Sequence, residues 1–454
     1  VTYGKMIGEL HQTPLRGFGY EGDPPDGHDD WFPEKMGEIL GRTEVWADVM
    51  SLGPPDGLFM TAMQKALKQI VDKKLDNTVR VRMMFGNIVG MPVNCNKVIK
   101  ELTKDIPEDA NLQLWVGAWR KGVSWNHAKI IAIDGLYLHT GGHNMWDPHY
   151  LKNNPVHDLS FELQGKVASD GHIFANEQWS FIENKQSTIG GACIDHLPDC
   201  LMVPVPTRVT VSEFPKDKAP IFPPKYKKSL LPKRVRADDD VPMISIGRYG
   251  AILQKDRPSD DAIWAMLGSA QTIIRLAIQD IGPVCIPTTK IPLPGCNWPK
   301  ETLSVLGRVI WERGVDVEII LSNPASIPGG LAMTDACYGN GWSCVDVAAE
   351  IIKTIRKNFP EADDAALRKK VSENLRVSFI RQKRGQAYED GKTIGMHAKH
   401  FIVDDVCTYV GSQNLYICDL AEWGVVIDDE ASTLRIKKEY WDPMVSRRRV
   451  HFAF

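Results

Sequence analysis

The sequence predicts an α/β protein of two similar halves, each a mixed β-sheet flanked by helices, that together assemble one active site. Three observations carry this. An eight-residue signature occurs twice, as His127-Ala128-Lys129-Ile130-Ile131-Ala132-Ile133-Asp134 and as His397-Ala398-Lys399-His400-Phe401-Ile402-Val403-Asp404. Each copy is followed at the same offset by a small-residue turn ending in Asn, Gly141-Gly142-His143-Asn144 and Gly411-Ser412-Gln413-Asn414. Upstream of each copy, strand-like apolar runs alternate with helix-periodic ones, the pattern of α/β units over a buried sheet. At 454 residues the chain also exceeds one ordinary core.

The elements follow in order. Thr43–Met50 reads as a strand and leads through Gly53-Pro54-Pro55-Asp56-Gly57 into an apolar-periodic helix over Leu58–Leu75. A β-rich run, Val79–Phe85, precedes the motif strand at 127–133. In the second half the matching pieces are strand Thr272–Ile278, helix Lys300–Arg313, strand Val315–Leu321 and the motif strand at 397–403. Helices over Val345–Asn358 and Ala362–Asn374 fall in an extra segment, 324–391, that also holds Gly-rich stretches and is placed to shape access to the site. This divides the chain into 1–203, with the first motif, a Pro- and Lys-rich linker at 204–241, and 242–454, with the second motif. The basic run Lys233-Arg234-Val235-Arg236 reads as a solvated connector in preference to a membrane contact.

Composition narrows the function. With 43% hydrophobic and 24% charged residues the chain is globular, and a net charge of −3 argues against a general grip on nucleic acid while leaving room for one locally positive phosphate site. No apolar run is long enough to span a bilayer, and Val1-Thr2-Tyr3-Gly4-Lys5 does not look like a signal peptide. None of the nine cysteines forms C-x2-C, so zinc is not indicated. The pairs 193/200, 285/296 and 337/344 lie in loop-like sequence where a short disulfide can close, whereas Cys407 reads as a buried thiol.

The repeated motif has a direct chemical meaning. His and Lys two apart on a strand project from one face. Two such pairs brought together give two imidazoles and two ammonium groups around a small space, and Asn144 and Asn414 add two amides. Such a site suits a phosphate diester. Lys129, Lys399, Asn144 and Asn414 hold the non-bridging oxygens, one imidazole attacks phosphorus, and the other protonates the leaving alcohol. The lysines supply the positive charge, so no metal or other cofactor is expected, and no carboxylate cluster or H-E-x-x-H suggests one. Each imidazole needs an orienting acid, and Asp158 and Glu422 lie downstream of the two motifs, with ordinary turn carboxylates as the alternative. His139, His143, His149, His157 and His400 read as packed histidines, and Trp125, Trp146 and Trp423 as either pocket lining or core.

These residues resemble the phospholipase D superfamily, in particular the secreted, two-lobed enzymes of the Streptomyces type. The likeness extends to Ser124–Lys129, Thr140–Trp146, Gly411–Tyr416 and Glu439–Pro443 and covers about 43–446. It implies two α/β lobes packed with pseudo-two-fold symmetry around the site. It implies His127 as nucleophile and His397 as general acid and base. It places Asp158 on His397 and Glu422 on His127, each serving the opposite lobe, and makes Asp134 and Asp404 structural. The implied reaction is cleavage of the phosphate–headgroup ester of a phospholipid through a phosphohistidine, by hydrolysis or transphosphatidylation. The implied partner is a phospholipid at a membrane or micelle surface, with no nucleic acid. The resemblance further implies secretion, and a monomer because one chain holds both motifs. The alternatives are a phosphodiesterase or transferase for another diester, nucleic acid or small molecule, and a phosphate-binding protein.

Overall fold

A computed structural model of the protein describes residues 1–14, 31–88, 91–107, 109–121, 124–151, 155–187, 220–223, 231, 236–250, 257–285, 289–293, 295–324, 326, 340–381, 385–388 and 390–445. The first half runs β1 (Thr2–Thr13), α1 (Trp31–Gly41), β2 (Trp46–Ser51), α2 (Gly57–Asp72), β3 (Val79–Gly86), α3 (Cys95–Leu102), β4 (Leu112–Lys121), β5 (Ser124–Trp125), β6 (Ile130–Ile133), β7 (Tyr137–Gly141), α4 (Asp147–Tyr150), β8 (Asp158–Gly165) and α5 (Val167–Ser187). The second runs β9 (Val241–Tyr249), α6 (Pro258–Gly268), β10 (Ile273–Ile278), α7 (Lys300–Arg308), β11 (Asp316–Leu321), α8 (Cys344–Asn358), α9 (Asp364–Asn374), β12 (Leu375–Phe379), β13 (Lys399–Val403), β14 (Cys407–Gly411), β15 (Ala421–Asp428), α10 (Glu430–Ile436) and α11 (Asp442–Val445).

The strands hydrogen-bond side by side in the order β12-β11-β10-β13-β14-β15-β9-β1-β8-β7-β6-β2-β3-β4-β5. Read outward from the β1/β9 junction, each half repeats the other: β1-β8-β7-β6-β2-β3-β4 against β9-β15-β14-β13-β10-β11-β12. Strands β2, β3 and β4 are parallel, as are β10, β11 and β12. β2 and β3 are buried along their whole length, as strands covered on both faces must be. Helix α2 buries Phe59, Met60, Met63, Ala66, Leu67 and Ile70, a three-to-four spacing that covers the sheet. The helix expected to end at Arg313 keeps α register to Arg308, finishes in a π-helical turn over Val309–Arg313, and stops at Gly314, whose φ of 67° a side chain would disfavour.

Three differences from the sequence reading have physical reasons. The motif strands begin at Ile130 and Lys399, so His127 and His397 stand just ahead of them. Their amide groups bond to the opposite half instead of to a strand neighbour. β1 and β9, which the sequence reading leaves unassigned, join the halves through Thr2↔Met243, Tyr3↔Pro242 and Gly4↔Val241, which makes Val241 the first residue of a strand. Within the expected linker, Pro220–Pro223 is packed into the first half. Arg82 Nη1 donates to the Pro220 carbonyl at 2.8 Å, Asn176 exchanges hydrogen bonds with the Phe222 backbone, and the Phe222 ring stacks on His172 at 4.0 Å. The buried Arg82 and Asn176 need those partners. Residues 204–219, 224–230 and 232–235 of the linker lie outside the described residues, as do residues 328–330 of the Gly-rich stretch, Cys193, Cys200 and Cys337. Cys285 and Cys296 are free thiols, so the 285/296 disulfide does not form, and Cys407 is a free, half-buried thiol at the start of β14. Among the described residues no helix is long and apolar enough to cross a membrane. A core shared by both halves, including Trp119, Trp179, Met396, Trp423 and Trp441, seals the junction behind the motifs.

Candidate active site

The site is built first by turns. After each motif strand the chain reverses through an Asp in the left-handed region, Asp134 at φ 54° and Asp404 at φ 53°. Asp tolerates this conformation better than most residues, and here its carboxylate is fully used. Asp134 accepts from the amides of Glu44, Val45 and Trp46, and Asp404 from those of Gln271, Thr272 and Ile273. Each Asp thus ties its hairpin to the start of the neighbouring parallel strand, far from the imidazoles at the other end.

The halves then hold each other's histidines. The His127 amide donates to the Ala421 carbonyl at 2.8 Å, and the His397 amide to the His157 carbonyl at 2.8 Å. The next residue on each receiving segment is an acid. His127 Nδ1 meets Glu422 Oε2 at 2.9 Å, and His397 Nδ1 meets Asp158 Oδ2 at 2.9 Å. A backbone bond and a side-chain bond from adjacent residues fix both position and ring plane. The imidazoles face each other edge to face, with centroids 6.0 Å apart. Lys129 Nζ donates to the His127 carbonyl at 2.6 Å and Lys399 Nζ to the His397 carbonyl, which leaves further donors on each ammonium. Asn144 and Asn414 are buried, and both polar atoms of the Asn144 side chain and Oδ1 of Asn414 have no partner among the described residues.

Electrostatics follow from burial. Burial, reinforced by Lys129 and Lys399, lowers His127 to about 4 against the pull of Glu422, and burial with Lys399 lowers His397 well below its ordinary value. Burial opposes charge on the acids too, but His143, His397 and Lys399 overcome it at Asp158, as His127, Arg248 and Lys129 do at Glu422, so both stay below the usual carboxylate range. Burial brings Lys399 down to about 8, and Lys129, also repelled by Lys399, falls well below its ordinary value. Two desolvated ammonium groups and unpartnered amides around neutral imidazoles make a site that an anion would stabilise.

Several residues here are not legible from the motif. Ser412 Oγ donates to Glu422 Oε2 at 2.5 Å, Tyr150 Oη donates to Asp158 Oδ2 at 3.0 Å, and the Asn144 backbone N–H donates to Tyr150 Oη at 3.1 Å. His143 bridges Ser160 Oγ and Thr13 Oγ1, each at 2.8 Å. Ser412 and His143 sit inside the repeated small-residue turns, which was the available signal. The remaining motif-adjacent aromatics divide: Trp423 is core, while Trp146 is half-buried and donates to the Pro54 carbonyl at 3.1 Å. A cleft of about 290 Å³ opens beside Asn414, walled by Arg257, Trp264, Glu301 and Tyr416.

No protein-family model matches the chain. It is 23% identical over 453 residues to phospholipase D of Streptomyces antibioticus, covering 90% of this chain and 75% of that protein. It is 30% identical over 122 residues to cardiolipin synthase A of Pseudomonas putida (strain GB-1), a match covering 26% of this chain and 25% of that protein. Its fold is similar to that of phosphatidylserine synthase from Haemophilus influenzae, with a TM-score of 0.52 and 15% identity over 98% of this chain and 88% of that one.

Proposed function

Because the chain belongs to the phospholipase D superfamily, we propose that it cleaves the phosphate–headgroup ester of a phospholipid through a covalent phosphohistidine and passes the phosphatidyl group to water or an alcohol. The observation that carries this reading is the pair of facing imidazoles, each held by a carboxylate of the opposite half. His127 keeps its proton on Nδ1, against Glu422, so Nε2 presents a lone pair. That nitrogen attacks phosphorus as the bond to the headgroup oxygen breaks. His397 gives its Nε2 proton to the departing alkoxide. In the second step His397 takes a proton from water or an alcohol, whose oxygen attacks phosphorus and breaks the P–N bond.

Burial and the two lysines favour the neutral form of both imidazoles. The diester's negative charge offsets Lys129 and Lys399, and His397, beside the anionic Asp158, then takes up the proton it must deliver. Lys129, Lys399, Asn144 and Asn414 hold the non-bridging oxygens as charge grows on them. Asp134 and Asp404 act only through the turns they brace. The halves 1–203 and 242–454 are two lobes of one site, and a monomer acting at a lipid surface outside the cell fits this reading.

The test is incubation with phosphatidylcholine and ethanol, with choline, phosphatidic acid and phosphatidylethanol read by mass spectrometry. Phosphatidylethanol that disappears in the His127→Asn variant supports the lipid substrate and the covalent step together. Silence from the wild type moves the reading to another diester.

A further inference from the structure

A site with two nearly identical halves gives its histidines two different tasks, so something must break the symmetry. The motif residues do not: each half supplies His, Lys and Asn in the same register. The difference lies one strand away. Across the β15/β9 ladder, Glu422 stands directly opposite Arg248. At the equivalent place in the first half, across β8/β1, Asp158 stands directly opposite Thr13. Directly opposed residues in an antiparallel pair share one face of the sheet, with Cβ atoms about 5 Å apart.

Arg248 is buried. Its Nη1 donates to Asp260 Oδ1 at 2.7 Å and its Nη2 to the Cys418 carbonyl at 3.1 Å. Gln413, next to Asn414, also donates to Asp260 Oδ1, at 2.9 Å. A guanidinium is therefore fixed across the ladder from Glu422, near enough to favour its charged form. Thr13 carries no charge; its hydroxyl bonds the Val156 carbonyl and His143.

We infer that Arg248 is a positioning residue that breaks the pseudo-symmetry of the site: by offsetting the charge of Glu422 it keeps His127 the neutral, attacking imidazole and leaves His397, whose Asp158 has the uncharged Thr13 across the ladder, as the proton carrier. An anionic carboxylate beside an imidazole favours the imidazolium, and a cation near the carboxylate weakens that pull. The other groups facing the two histidines are of the same kinds, one carboxylate and two lysines each. Glu422, Lys129 and Lys399 face His127, while Asp158, Lys399 and Lys129 face His397. Behind Asp158 lie His143, itself lowered by burial to about 4, Tyr440, and Tyr150, whose hydroxyl donates to it. Behind Glu422 lie Arg248 and its partner Asp260 on α6, with the Tyr409 phenol and Cys418 thiol uncharged. The assignment of roles rests on the proposed phosphohistidine mechanism.

The experiment is an NMR titration of ring-¹⁵N-labelled histidines in full-length protein, run beside the pH dependence of kcat/KM for phosphatidylcholine. Arg248→Gln is expected to raise the His127 midpoint by about half to one pH unit, with a much smaller change at His397. Asp260→Asn leaves the guanidinium less compensated and is expected to lower the His127 midpoint, while Arg248→Lys stays close to wild type. The acid limb of kcat/KM moves with His127 in each case. A purely packing role for Arg248 would not produce shifts of opposite sign. Both midpoints moving together, or neither moving, overturns the inference. If Arg248→Gln does not fold, Asp260→Asn decides, and an unchanged His127 midpoint overturns it. Wild type that makes no phosphatidylethanol while these shifts occur would sink the lipid reading and leave the role of Arg248 standing.

Discussion

The two halves share one topology but surround their orienting acids differently. Behind the imidazole it holds, Asp158 in the first half receives the Tyr150 hydroxyl and stands across the ladder from the uncharged Thr13. Glu422 in the second half accepts from Ser412 and stands across the ladder from Arg248, which is paired with Asp260. Even the turns differ. A Cβ on Gly142 would lie 1.9 Å from Asp158 Oδ1, whereas the equivalent position in the second half holds Ser412, whose hydroxyl reaches the longer Glu422 side chain. The framework is duplicated while the chemistry next to it has diverged, as a site with two distinct steps requires.

The sharpest way to break this comparison is to remove the imidazoles one at a time. His127→Asn is expected to lower turnover by roughly 10⁴-fold or more and to leave no covalent phosphoenzyme. His397→Asn should be comparably slow, yet still trap a phosphoenzyme from a substrate with an activated leaving group, which needs no proton. Acid-quenched gels with ³²P-labelled substrate read the difference. A labelled His127→Asn protein and an unlabelled His397→Asn protein would exchange the assigned roles.

Next come the lysines. Lys129→Met and Lys399→Met each remove a cation from the developing phosphorane and are expected to cost about 3–4 kcal/mol of transition-state stabilisation. Because both ammonium groups are buried and destabilised in the empty site, the resting protein should be no less stable for the change. Thermal unfolding beside kcat/KM checks this. A large fall in melting temperature would make that lysine structural.

Much of this site could be read from the chain because the motif is local. His127, Lys129, Asn144 and their counterparts lie within one hairpin, and chemistry at fixed spacing survives without knowledge of the fold. Helix α2 and strands β3, β10 and β11 were legible for a similar reason, since their apolar periodicity is strong. β1, β9 and the packed Phe222 were not, because each is specified by a partner far along the chain. Arg248 belongs to the same class: nothing near it in sequence marks it, and only the β15/β9 register sets it against Glu422. The Asp158–His397 and Glu422–His127 contacts also span the chain, and in sequence they rested on family resemblance alone.

Buried histidines sharpen the comparison through pH. Burial is the first cause of lowering for His11, to about 3, and His143, to about 4; His139 falls well below its ordinary value. Beyond the catalytic pair, His400 is the second half's one histidine among the described residues, lowered by burial to about 4. A histidine lowered in the folded state binds fewer protons than in the unfolded chain. Its contribution is therefore fully present above the ordinary value of 6.5 and is lost as pH falls from there towards about 4. At one unit below that ordinary value each such group withdraws about 1.4 kcal/mol, so the first half should lose about 2–3 kcal/mol more than the second. Hydrogen exchange along β6–β8 and β13–β15, corrected for intrinsic rates, measures it. Equal loss in both halves would mean that the shared core unfolds them as one unit.

The smallest expected effect separates the two hydroxyls that serve the acids. Ser412→Ala removes one charge-assisted hydrogen bond from Glu422 and leaves the Trp423 amide without its Ser412 Oγ acceptor at 3.1 Å. A bond to a charged group contributes about 1.5 kcal/mol, roughly tenfold in rate. Tyr150→Phe removes the comparable donor from Asp158 and also the acceptor of the Asn144 backbone N–H. The serine change should slow the step carried by His127, formation of the phosphoenzyme, whereas the tyrosine change should slow proton delivery by His397 and loosen the Asn144 turn. Single-turnover kinetics with a poor and a good leaving group distinguish them: Tyr150→Phe should be rescued by the good leaving group and Ser412→Ala should not. Equal rescue of both would mean that the hydroxyls tune packing around a symmetric pair, and the chemical divergence of the halves would then reduce to Arg248.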